Sequence, residues 1–274
     1  MSSHWIQNDL SVEGACIHYA RTGAGSDKPA MVLVHGFSDN GLCWTETAME
    51  LEADYDIVMP DMRGHGLSER VRPGSKTDMT ADIAAIIRAM GLNHPIVGGH
   101  SMGAMVTAQL GARYPEIARA LILEDPAWFG LNPGESRPSI ISAGSPVEKW
   151  IKGMDGQSLE EVMVQTRAEH PGWADRVVHH WTEGKKQLDW NFFTTQDTSW
   201  GNWQEVARAI TVPTLLITAD VDLGGIITPE IAMKAVELNP KIHVAHIPGA
   251  GHHVRFGKYD EYMAAVKAFL KELA

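Results

Sequence analysis

Short apolar runs alternate with longer helical patterns along most of the chain. The runs are ACIHYA (15–20), AMVLVH (30–35), DIVMP (56–60), PIVGGH (95–100), RALILE (119–124), PTLLIT (213–218) and KIHVAHI (241–247). Strands covered on both faces read as nearly unbroken apolar stretches. A chain that runs strand, helix, strand crosses over with a right-handed turn and lays its strands parallel. The rhythm therefore predicts an α/β fold with a mainly parallel sheet. The turn at Glu13-Gly14 adds an antiparallel hairpin at one edge.

The rhythm stops between residues 126 and 209, where helical pieces replace strands. In SLEEVMVQTRAEH, Ser158 and Glu161 have the spacing of a capping box. Seven of the nine tryptophans, Trp128 to Trp203, crowd into this segment. It reads as a helical cap (126–209) inserted between two parts of a core domain, 1–125 and 210–274.

With 23 basic against 34 acidic residues, the chain carries a formal charge of −11. A surface that tracks phosphates needs the opposite sign, so nucleic acid is not an expected partner. No apolar run approaches the ~20 residues of a membrane-spanning helix. MSSHWIQNDLS lacks the basic start and apolar core of a secretory signal, so a cytoplasmic location is expected. Two cysteines, Cys16 and Cys43, make no disulfide framework and are expected to be reduced and buried.

VGGHSMGAM (97–105) places Ser101 between Gly99 and Gly103, after an apolar run and before a helical pattern. A strand that feeds straight into a helix turns sharply, and the apex residue takes an unfavourable backbone conformation. Small neighbours two residues away avoid collisions at such a bend. The serine oxygen then projects at the carboxyl edge of the sheet, with a helix N-terminus behind it. Ser101 is the predicted nucleophile.

A serine nucleophile needs a base, and the base needs an orienting acid. KIHVAHIPGAGHHVRF ends a late strand in a Gly-rich loop carrying His252 and His253. His252 is the predicted base and His253 the alternative. For the acid, ITADVDLGG offers Asp220 and Asp222, and LILEDPAW offers Glu124 and Asp125. All four lie at strand ends on the edge where open α/β sheets bind ligands. Oxyanion donors are expected from the Met102 N–H and from the loop His35-Gly36-Phe37, where Gly36 allows a tight path and the Phe37 N–H faces the oxyanion.

Taken in order, VLVHGF, PDMRGHGLS (60–68), GHSMG, YPEIARALILEDP and GAGHH resemble the α/β-hydrolase superfamily over almost the whole chain. The resemblance implies a mostly parallel, eight-stranded sheet flanked by helices, with the cap inserted after strand six. An elbow serine resembles esterases, lipases, thioesterases and amidases; dehalogenases and epoxide hydrolases of the superfamily carry aspartate there. The family's G-x-x-D after the penultimate strand matches Asp222, with Ala219 in place of the glycine. Other members carry the acid after the preceding strand, at the position of Asp125. The resemblance ranks Asp222 first, Asp125 second. Asp61 and His65 match a structural turn, with His65 at the pocket edge as a further option.

The predicted activity is hydrolysis of small or medium carboxylic esters through a Ser-His-Asp triad and an acyl-enzyme, with no cofactor and no metal. Gly36 and Trp128 are the predicted substrate contacts, Trp44 a weaker one. His179, His180 and Glu183 share one helix but lack a further ligand set, so they read as a solvated face. Lactone opening, carbon–carbon hydrolysis, perhydrolysis and small-molecule reception are the competing readings.

Overall fold

A computed structural model describes residues 5–130, 143–195 and 202–273. Its eight strands are β1 (Ile6–Val12), β2 (Ala15–Arg21), β3 (Ala30–Val34), β4 (Asp56–Pro60), β5 (Ile96–His100), β6 (Ala120–Glu124), β7 (Thr214–Thr218) and β8 (Ile242–His246). They form one sheet in the order β1-β2-β4-β3-β5-β6-β7-β8. The two contacts made by β2 are antiparallel and the other five are parallel. Each of the seven apolar runs is a strand. β1 is mostly exposed along its length, as befits an edge.

Helices cover both faces. α2 (Met79–Ala89), α3 (Met102–Arg113), α8 (Trp203–Ala209) and α9 (Pro229–Leu238) share one apolar cluster with Val32, Val97 and Leu121. α1 (Thr45–Leu51), α10 (Val254–Gly257) and α11 (Tyr259–Glu272) share the opposite cluster with Met31, Ile57 and Leu215. Alternate residues of one strand thus feed two cores, which is why the central strands read as unbroken apolar runs.

Between β6 and β7, α4 (Pro146–Lys152), α5 (Leu159–Glu169), α6 (Asp175–Gln187) and α7 (Phe192–Thr195) precede α8. The Ser158–Glu161 capping box closes the start of α5 from both sides. Helix α8 packs on α3 and α9 beside the sheet, whereas α6 packs on the 41–44 turn and α1. Trp200 lies outside the described residues. Among the described residues, no helix is long and apolar enough to cross a membrane.

One cysteine differs from expectation. Cys43 is buried but Cys16 is exposed. On β2 the inward positions are Ala15, Ile17 and Tyr19, so the pleat turns Cys16 and His18 outward.

Candidate active site

Ser101 joins β5 to α3 with φ 54° and ψ −114°, a conformation that costs a non-glycine residue about 1–3 kcal/mol. The two glycines explain how the turn is tolerated. A Cβ at Gly99 would lie 2.3 Å from the Gly103 carbonyl oxygen, and one at Gly103 would lie 2.3 Å from that of Val34. Backbone fills both places. Ser101 occupies the N-cap position of α3 yet its side chain makes no capping bond. Its Oγ lies 2.9 Å from His252 Nε2 instead.

The other ring nitrogen, His252 Nδ1, lies 2.6 Å from Asp125 Oδ2. Asp125 follows β6 in a left-handed conformation, φ 42°. Its carboxylate accepts the Ile226 N–H (2.9 Å to Oδ2) and the Ile227 N–H (3.0 Å to Oδ1), so the loop after β7 clamps it. Of the two carboxylates ranked from the sequence, the structure brings Asp125, and not the first-ranked Asp222, to His252. Asp222 is exposed on the 3₁₀ turn Val221–Leu223, while Asp125 is fully buried against the imidazole. Asp220 instead accepts the Gly249 N–H and pairs with His246, 3.1 Å away.

Glu124 is also buried, and it serves Arg255 rather than His252. The Arg255 guanidinium donates to Glu124 Oε2 (2.8 Å) and the Arg255 N–H to Oε1 (3.0 Å). Arg255 also lies over the Trp44 ring, 3.9 Å from its centroid. This pair anchors the chain three residues beyond His252. Trp44 is thus a support for arginine, not a pocket wall.

The loop after β3 is held by His35, whose Nε2 accepts the Met62 N–H and whose Nδ1 donates to the Gly36 carbonyl. Burial pushes the His35 imidazole below its ordinary range. Next, Gly36–Asp39 forms a turn closed by the Asp39 N–H, with Ser38 at φ 60°. Met102 opens α3, where the first N–H groups have no intrahelical acceptor. Phe37 and Met102 both line the cavity beside Ser101.

That cavity has a volume of about 330 Å³ and is walled mainly by apolar side chains, among them Met105, Phe129, Val147, Trp150 and Trp181. Trp128 is not one of them. It is 1% exposed and stacks on Trp203, ring centroids 5.2 Å apart, so it packs the segment onto the core. Gly36 is not a wall residue either; it faces His100 and Asp39. His65 is buried against His35, Phe37 and Phe192. Asp61 accepts the Gly41 and Leu67 N–H groups and shapes its turn.

Sequence reasoning missed a buried pair, one member of which, Lys185, lines the cavity. Lys185 donates to Asp39 Oδ1 (2.7 Å) and lies 4.1 Å from the centroid of Trp181. Burial alone would raise the Asp39 carboxyl, but the adjacent Lys185 ammonium holds it well below the usual carboxylate range. The signal was present on α6, where Lys185 continues the buried stripe of Val178 and Trp181. On the same helix, His180 is buried and meets Glu183 at 3.0 Å, whereas His179 and Glu183 are part-exposed, so the solvated face predicted for all three fails at His180.

The family model for the alpha/beta hydrolase fold matches residues 29–193. The chain belongs to the α/β-hydrolase family. It is 28% identical over 277 residues to N-formylmaleamate deformylase of Pseudomonas putida, covering 98% of each chain. It is 30% identical over 299 residues to epoxide hydrolase 1 of Caenorhabditis elegans, covering 98% of this chain and 71% of that one. The crystal structure of E-2-(acetamidomethylene)succinate hydrolase superposes with a TM-score of 0.75 at 18% identity, over 98% of this chain and 100% of that one. These relatives are hydrolases of different bonds, so the family is fixed and the bond is not.

Proposed function

We propose that this chain is a serine hydrolase of carboxylic esters with small or medium neutral acyl groups. The observation that carries the reading is the relay Asp125–His252–Ser101, at 2.6 and 2.9 Å, opening onto an apolar cavity. Ser101 Oγ attacks the ester carbonyl as His252 Nε2 takes its proton, and Asp125 holds the ring and offsets its charge. The Phe37 and Met102 N–H groups receive the oxyanion, a contact worth about 10² to 10³ in rate per donor. His252 then gives its proton to the departing alkoxide. Water, activated by the same imidazole, cleaves the acyl-enzyme.

The size of the cavity suits a small ligand. Its wall cation, Lys185, is already matched by Asp39, which favours a neutral acyl group over an acidic one. The elbow serine disfavours the epoxide chemistry named for the nematode relative. An amide is the second reading, supported by the deformylase relative and by a base able to protonate a leaving amine. The proposed partner is a small molecule, with no nucleic acid and no membrane.

Turnover of a p-nitrophenyl series from acetate to octanoate, beside matching N-formyl amides, tests this. Ester hydrolysis lost in Ser101→Ala is the expected result. Faster amide than ester turnover would transfer the reading to amides, and neither activity would refute both.

A further inference from the structure

Behind the dyad lies a cluster that the proposed reaction does not use. His100 Nε2 sits 3.0 Å from the His252 carbonyl oxygen, which only accepts, so this nitrogen carries the hydrogen. In the neutral ring, Nδ1 is then a bare lone pair. It points at Asp39 Oδ2, 3.8 Å away, too far for a hydrogen bond. Both atoms are fully buried with no hydrogen-bond partner among the described residues, and both residues are 1% exposed. Orphaned acceptors facing each other in a protein interior are costly.

A third acceptor converges on the same point. One ring nitrogen of His253, one carboxylate oxygen of Asp39 and one ring nitrogen of His100 lie within 4.8 Å of one another, and His100 Nδ1 and Asp39 Oδ2 are the pair 3.8 Å apart. His253 is held by stacking on Phe256, ring centroids 5.3 Å apart, and by a tilted contact with the Trp173 ring at 5.4 Å. Gly36 keeps this space open: a Cβ there would lie 2.7 Å from His100 Nδ1 and 3.1 Å from Asp39 Oδ2. His100 and His253 also line the cavity, which gives an entry path and room for a solvent ligand.

We propose that Asp39, His100 and His253 form a site for a four-coordinate divalent transition metal of the zinc class, with solvent as fourth ligand. Zinc bound to nitrogen and oxygen at about 2.0–2.2 Å sets tetrahedral ligand separations near 3.4 Å, so the two orphaned atoms need close by only a few tenths of an ångström. Around the cluster, three buried carboxylates (Asp39, Glu124, Asp125) face two buried cations (Lys185, Arg255), a balance that favours a further positive charge. That charge would sit beside His252, whose ring centroid is 4.7 Å from that of His100. It would oppose imidazolium formation, so an occupied site inhibits the hydrolase. The inhibition rests on the proposed reaction, but the site itself does not.

The test uses a His179→Asn/Glu183→Gln background, which removes the other cluster of metal-ligating side chains found among the described residues. After chelator treatment the protein is titrated with cobalt(II). The expected result is visible absorption of four-coordinate cobalt, saturating at a single equivalent and retained in Ser101→Ala. His253→Gln, shown folded by its thermal melt, should lose affinity by more than about 100-fold, the upper range for losing a mere outer-shell partner. Asp39→Asn should do the same; if it fails to fold, His253→Gln decides. No four-coordinate spectrum, or one unchanged in His253→Gln, overturns the site. Zinc should displace cobalt and stop ester turnover. Cobalt binding without inhibition, or inhibition that persists in His253→Gln, overturns the inhibition.

Discussion

An Asp125→Asn variant keeps the shape of the strand end and inverts the tautomer of His252. Two backbone donors, the Ile226 and Ile227 N–H groups, approach the Asp125 carboxylate at 2.9 to 3.1 Å. They hold the single amide oxygen of asparagine on their side and leave the amide nitrogen facing His252 Nδ1. A donor there forces Nδ1 to accept, which moves the ring hydrogen to Nε2. Nε2–H then points at Ser101 Oγ and cannot take its proton. The equivalent change in a serine protease costs about 10⁴ in kcat. At 1.36 kcal/mol per decade that is about 5.4 kcal/mol of lost transition-state stabilisation. Asp125 is not a wall of the cavity, so KM should barely move. Steady-state hydrolysis of p-nitrophenyl acetate reads both, with Asp222→Asn as the parallel variant and thermal melts confirming folding. Asp125→Asn within tenfold of the parent, or collapse in Asp222→Asn, would refute the assignment.

Gly103→Ala pushes a methyl into two backbone carbonyls, at 2.3 and 2.4 Å, that cannot rotate away. It should lower urea stability by about 1–3 kcal/mol, and an unchanged midpoint would contradict the packing argument. Lys185→Met leaves Asp39 buried without its cation and should cost about 3–5 kcal/mol; the double variant Lys185→Met/Asp39→Leu should recover much of it. Burial pushes His65 down to about 3, so between that pH and about 6.5 the unfolded chain binds a proton that the folded chain refuses. Stability should therefore fall as the pH drops through this window, by about 1.4 kcal/mol per pH unit for this group. The slope should be shallower in His65→Asn, and an identical slope would sink the argument.

The sheet was legible because its strands are covered on both faces and their apolar runs are separated by helical periodicity. Ser101 and His252 were legible because a strained strand-to-helix turn and a Gly-rich loop each leave a local trace. The acid was not. Asp125 and Asp222 both follow strands at the same edge, and the choice turns on a left-handed φ at 125 and two amides donated from 226 and 227. Resemblance ranked first Asp222, which is exposed, while Asp125 is the one that meets His252. Nor does periodicity say which tryptophans face the cavity: Trp150 and Trp181 do, and Trp128 stacks inward on Trp203. Lys185 and Asp39 meet across 146 positions of sequence, a distance over which no local pattern reaches.

Treatment with a fluorophosphonate, read by intact mass, is the most direct test of whether Ser101 is a nucleophile. The account predicts a single covalent adduct, mapped by peptide mass to Ser101 and absent from Ser101→Ala and from His252→Ala. An unlabelled parent, or a Ser101→Ala protein that labels as well as the parent, would contradict it.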